Sequence, residues 1–107
     1  MYIKPQTLPN SVTNIGVGAF FEADCITSVI IPKSVTSIGD SAFLWCDSLI
    51  NVYYNGTEEE WENISIGSYN TKVKNAIRYY YIENQEDVPT DGGNYWHYDE
   101  NGNIAVW

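Results

Sequence analysis

The sequence predicts a solenoid of short stacked repeats, dominated by β-strands with brief helical turns. A capping helix and strand close it, and a β-hairpin tail follows. Three observations predict this: a 23-residue internal repeat across residues 8–53, a helix signal in the unit after it, and an Asn-Gly turn near the C-terminus. The chain has 107 residues, 44% of them hydrophobic and 18% charged, which suits a packed core and argues against wholesale disorder.

The repeat comes first. Residues 8–30, LPNSVTNIGVGAFFEADCITSVI, align with residues 31–53, IPKSVTSIGDSAFLWCDSLINVY. Identical pairs include Pro9/Pro32, Val12/Val35, Ile15/Ile38, Gly16/Gly39, Phe20/Phe43 and Val29/Val52. A period near 23 lies in the range of leucine-rich repeats, each one short strand plus a return segment. Ile26, Val29 and Ile31 recur as Leu49, Val52 and Tyr54. The last two of each set are spaced as one face of a strand requires. Gly16 and Gly39 suit a sharp corner where a side chain would clash. Ala19–Phe20 and Ala42–Phe43 read as a small and a large core residue in a tight helical turn. One such unit cannot bury its own apolar face, whereas stacked units can.

The string SVTSIGDSAFLWCDSLINV, residues 34–52, resembles the repeat of BspA-like leucine-rich repeat proteins of bacterial cell surfaces, with its SVTSIG-x-x-AF-x-x-C-x-x-L pattern. The resemblance covers two full repeats and extends over residues 1–82. The first repeat departs from it by carrying Ala23 in the place of Cys46, with its own Cys25 two positions later. The resemblance implies a leucine-rich repeat array and a non-catalytic surface module for adhesion or protein binding. The implied partner is host matrix or another surface protein, without a cofactor. The implied location is extracellular or on the bacterial cell surface.

Imperfect units flank the two repeats. Residues 1–9 lie over 24–32, with Ile3 under Ile26 and Pro9 under Pro32. After LINVYYNG, the segment TEEEWENI reads as a short helix. Thr57 is its cap, Glu60 completes a capping box, and the acids sit where the helix dipole favours them. Trp61 and Ile64 then face inward. GSYNTK reads as a loop and AIRYYY as the last strand, so Trp61 closes the core. The chain is expected to be the C-terminal end of a longer array, with Pro5 and Pro9 blunting its opposite edge.

The domain boundaries follow: 1–82 repeats with their capping unit, 83–94 an acidic linker with Pro and a Gly pair, and 95–107 an aromatic hairpin. With Asn101–Gly102 as a two-residue turn, Tyr98 faces Ala105 and Trp96 faces Trp107. Trp96, Tyr98 and Trp107 then share one face. An isolated hairpin is marginal in water, so it should dock on the repeats, extend a sheet edge or pair with a neighbouring molecule.

Charge and chemistry narrow the function. Five Lys and Arg against 14 Asp and Glu give −9, which argues against nucleic acid and anionic membrane surfaces. No apolar run approaches the ~18 residues of a membrane span, and no basic-then-apolar signal segment opens this chain. One histidine and two cysteines exclude finger-type zinc sites. His97 lacks a recognisable nucleophile beside it and reads as a hairpin residue. Glu58, Glu59, Glu60 and Glu62 read as a solvated helix start rather than a glycosidase pair. Glu86, Asp87 and Asp91 lack the EF-hand calcium spacing, and Gly16-Val17-Gly18 lacks the setting of a phosphate loop. Cys25 and Cys46 read as buried free thiols, with a disulfide between them as the alternative. The sequons at Asn55 and Asn63 read as coincidental.

No catalytic residue, metal ligand or cofactor is assigned. The expected binding face is the outward row of the strands: Ser28, Ile30, Asn51, Tyr53, Arg78 and Tyr80, with Thr7 extending it. Cross-strand stacking that merely stabilises the sheet explains the same residues. The runner-up is a carbohydrate- or cell-wall-binding module that holds a glycan on Trp96, Tyr98 and Trp107. A small hydrolase comes third.

Overall fold

The structure, a computed structural model, describes residues 6–107, so Ile3 and Pro5 lie outside the described residues. It is strand-dominated. In chain order it holds β1 (Gln6–Thr7), β2 (Asn14–Ile15), β3 (Ser28–Pro32), β4 (Ser37–Ile38), β5 (Asn51–Asn55), α1 (Glu58–Glu62), β6 (Ser65–Ile66), α2 (Thr71–Asn75), β7 (Ile77–Tyr81), a 3-10 turn (Gln85–Asp87), β8 (Tyr95–Tyr98) and β9 (Ile104–Val106).

Two sheets form, one of order β1-β3-β5-β7-β8-β9 and one of order β2-β4-β6. The repeats pair in parallel at the spacing of the sequence repeat, with Val29 opposite Val52 and Ile15 opposite Ile38. The inward residues meet the expectation. Val29, Ile31, Val35, Ile38, Val52 and Tyr54 are essentially inaccessible, packed with Phe43, Leu49, Trp61 and Val73 in one core between the sheets. Full burial of each such side chain contributes about 1.5–3 kcal/mol.

The return segments are chains of tight turns, not helices. Ala42 N–H bonds Gly39 O and Leu44 N–H bonds Ser41 O, each three residues back, but left-handed residues interrupt the run. Gly18 (φ 66), Ser41 (φ 59) and Tyr69 (φ 62) occupy the equivalent place in three successive units, and Glu22 (φ 57) and Trp45 (φ 61) occupy another in two. Gly39 serves close approach rather than a corner. A Cβ there would meet the Val17 amide of the preceding repeat at 2.7 Å, whereas Gly16 has nothing within 4 Å.

The third unit is half legible. Helix α1 has the expected capping box: Thr57 Oγ1 accepts from Glu60 N–H, and Glu60 Oε1 accepts from Thr57 N–H. Trp61 and Ile64 are buried. The segment read as a loop, GSYNTK, instead leads into α2, which buries Val73 completely. Asn70 organises it. Its side-chain oxygen accepts the Phe43 amide at 3.0 Å, and its nitrogen donates to Gly39 O and Gly67 O at 3.0 Å each. A single Asn thereby satisfies the buried backbone of the preceding turn.

The tail joins the large sheet. β8 runs parallel to β7, with Tyr81 opposite Trp96, and β9 returns antiparallel to β8. The hairpin register corrects the expectation by one residue: Trp96 faces Val106, His97 faces Ala105 and Tyr98 faces Ile104. The turn is longer than two residues because Asp99 caps it. Asp99 Oδ1 accepts the Asn101 and Asn103 amides, and Gly102 sits at φ 79. That is the three-residue loop with a left-handed glycine, and one residue of slip moves every side chain to the other face. Both cysteines are free, but only Cys46 is buried. Cys25 is exposed, because its two-residue offset places it outside the slot that Cys46 fills.

Candidate functional site

The strand face is not an open row. Between β5 and β7 the register pairs Asn51 with Ile77, Tyr53 with Tyr79 and Tyr54 with Tyr80. The outward residues of β7 are therefore Ile77, Tyr79 and Tyr81, and the expected Arg78 and Tyr80 lie on the core side. This corrects the expected face. Tyr80 packs against the main core, and the Arg78 guanidinium lies over the Trp61 ring, 4.5 Å from its centroid. Arg78 Nε donates to Tyr80 Oη at 3.1 Å. An inward arginine stacked on tryptophan is invisible to an apolar-in, polar-out reading.

Ile30 and Tyr53 do point outward, but they are 6% and 9% exposed, because the tail lies over them. Trp96 is 0% exposed. Its ring meets Tyr53 at 5.7 Å, Tyr81 at 5.2 Å and Tyr98 at 4.9 Å, all edge-on. Its Nε1–H donates to Tyr54 O at 2.8 Å. Ile30, Tyr53 and Trp96, with Tyr79, Tyr81 and Ile104 around them, form a second core on the far face of the sheet. Of the outward residues in the predicted row, Ser28 and Asn51 keep partial exposure, beside Ile77 at 46%.

The tail does not assemble three aromatics on one face. Trp96 is internal, and Trp107 lies on the other side, stacked on His97 at 3.6 Å and donating to Ile82 O at 2.7 Å. His97 is thereby packed as a hairpin residue. Asp91 is also engaged: it accepts the Gly93 amide at 2.9 Å and the Tyr95 hydroxyl at 2.8 Å. Those two donors, the amide first, hold its carboxyl below the usual value. Burial, and next Glu83, pushes the Tyr81 phenol up, and burial, then Tyr81, does the same for Tyr98.

The most exposed aromatics lie on the turns, while Tyr98 and Trp107 of the tail are 39% and 37% exposed. Phe21 is 45% exposed, Trp45 54% and Tyr69 71%, with the Phe21 and Trp45 rings 5.3 Å apart. Trp45 and Tyr69 flank a cavity of ≈ 120 Å³ whose walls include Phe43, Thr71 and Lys72. Thr71 and Lys72 also border a depression of ≈ 350 Å³ lined by Leu49, Ile50, Asn75, Ala76 and Ile77. The two cavities share Thr71 and Lys72 as walls. Lys72 Nζ lies 3.5 Å from Asp47 Oδ1, both side chains well exposed. The sequence held a signal for this surface: the aligned columns read Glu22/Trp45 and Gly18/Ser41/Tyr69, and a column that admits Glu or Ser faces solvent.

Another depression, of ≈ 490 Å³, is lined by Asn10, Pro32, Lys33, Ser34, Asn55 and Glu60. Its one carboxylate, Glu60, is engaged in the capping box of α1. No described helix is long and apolar enough to cross a membrane.

A family model described as a BspA type leucine rich repeat region (6 copies) matches residues 2–85. No curated protein and no solved structure matches the chain significantly.

Proposed function

The chain belongs to the BspA-type leucine-rich repeat family, and from that premise we propose that it is a non-catalytic, protein-binding module used in adhesion at a bacterial cell surface. In this reading its units stack as a short solenoid, and the partner is host matrix or another surface protein. One observation carries it: Phe21, Trp45 and Tyr69, from three successive units, stand exposed along the turn edge. Exposed Trp and Tyr on a rigid scaffold are favoured binding anchors, since they bury much area at little ordering entropy. Backbone conformation sharpens the point. Tyr69 and Trp45 occupy left-handed positions that suit glycine, and a bulky exposed side chain there contributes nothing evident to the core. Ser28 and Asn51, partly exposed, stand in register with Ile77 across the strands.

The glycan alternative on the tail has less to support it, because Trp96 is internal and Trp107 faces away from Tyr98. The test is an array of purified extracellular-matrix proteins and glycans probed with the whole chain. Specific protein binding is expected, lost in the Trp45→Ala, Tyr69→Ala double variant and kept in Trp107→Ala. Binding only to glycans, or binding indifferent to the double variant, refutes the reading.

A further inference from the structure

We propose that the Trp45–Tyr69 groove receives an extended protein segment in which an acidic residue sits between apolar ones, its carboxylate meeting Lys72. This rests on the protein-binding reading above and adds the partner's chemistry.

Charge is the first argument. Residues 58–107 carry three basic groups, Lys72, Lys74 and Arg78, all within seven positions that contain no acid. The other 100 residues hold all 14 Asp and Glu and only two Lys. Arg78 is turned to Trp61, which leaves Lys72 and Lys74 on α2, so an acidic segment is repelled from most of this surface and attracted there. The Lys72–Asp47 pair is solvent-exposed, and such pairs are worth roughly 0–1 kcal/mol, so a ligand carboxylate competes for Lys72 at little cost.

Shape is the second. The cavity between Trp45 and Tyr69, ≈ 120 Å³, admits a single side chain and not a helix of about 10–12 Å diameter. Beyond Lys72 the depression is wider, ≈ 350 Å³, and bordered by the exposed Ile50 and Ile77. The two adjoining cavities offer an aromatic wall, the shared cation Lys72 and an aliphatic wall. An extended segment places successive side chains at about 3.3 Å intervals along its length and can meet all three.

The test selects a yeast-displayed library of random dodecapeptides on the intact, immobilised chain. The expected winners carry Asp or Glu flanked by Leu, Phe, Trp or Tyr. Their affinity should fall by about tenfold or more with Lys72→Glu, and again with Tyr69→Gly. Lys33→Glu, on a different depression, should leave it unchanged. Tyr69→Gly suits its left-handed position, so its loss of binding is not a loss of fold. Lys72→Met separates charge from packing: it should weaken binding less than charge reversal does. Winners without an acidic residue, or indifferent to Lys72→Glu, overturn the groove assignment while leaving protein binding intact. No enrichment, or binding of polygalacturonate in place of peptide, overturns it as well. The matrix array reports on the broader reading independently.

Discussion

Replacing Trp96 with alanine should release the hairpin while the repeats stay folded. The side chain is wholly buried, touches three tyrosine rings and donates its indole N–H to Tyr54 O at 2.8 Å. Truncating a buried aromatic costs about 3–5 kcal/mol, the larger values where the site cannot collapse. Here the site cannot follow, because Ile30 and Tyr53 are held by a paired sheet below. A hairpin alone is marginal in water, so a loss of that size exceeds what keeps β8 and β9 docked. The assay is native-state hydrogen exchange. The Tyr80 amide bonds Asn94 O and the Ile82 amide bonds Trp96 O, at 3.1 and 3.0 Å. At about 1.4 kcal/mol per decade, both should exchange roughly a thousandfold faster. The Gly39 amide, bonded to Ile15 O at 2.7 Å, should stay slow. Trp96→Phe keeps most of the ring and loses the indole bond, at about 1–2 kcal/mol. Unchanged Tyr80 and Ile82 would refute the docking argument. Equal acceleration of Gly39 would show that the hairpin and repeats unfold as one unit.

Trp61→Ala should cost about 3–5 kcal/mol in urea titration, and Trp107→Ala only about 1–1.5, since Trp107 is 37% exposed; equal losses would remove Trp61 from its closing role. A thiol reagent should modify Cys25 alone in the native chain, because Cys46 is inaccessible and burial pushes its thiol up; two labels per folded molecule, counted by mass, would contradict this. Burial raises the phenols of Tyr54, Tyr81 and Tyr98 above 10.0, so the folded state keeps protons that the unfolded chain releases. Stability should hold below about pH 10 and fall above it, as a drop in the urea midpoint between about pH 9 and pH 11 would record. Tyr69→Gly should raise thermal stability by up to about 1 kcal/mol by relieving φ 62, and a lower melting temperature would show that the ring supports the fold.

Legibility tracked repetition. Where two copies of a unit stood in register, identity and periodicity named the inward positions, and the Val29/Val52 and Ile15/Ile38 ladders follow from them directly. The capping box of α1 was legible for a different reason: its chemistry is local and complete within four residues. Failures came where one copy existed and long-range partners decided. Helix α2 has five residues, too few for a period, and rests on Asn70 reaching back to Phe43. The side of β7 that faces inward was set by pairing with β5, and Arg78 was admitted there by Trp61. The hairpin slipped by one residue because Asp99, not Asn101–Gly102 alone, defines its turn. The exposed aromatics Trp45 and Tyr69 stand at turn positions whose counterparts in the other units are Glu22, Gly18 and Ser41, so the repeat pattern carries no aromatic signal there.

The reversed direction of β9 has a consequence for self-association. Strands β1 to β8 of the large sheet run alike, and identical parallel edges facing opposite ways are the complementary halves of a head-to-tail contact. Such a contact does not close, so it grows into a filament. With β9 reversed, a β1 edge arriving in that head-to-tail orientation would meet it antiparallel, so the parallel register of the repeats is not continued at this end. The hairpin therefore ends the run of parallel strands, and a contact made at this end would not copy the pairing between the repeats.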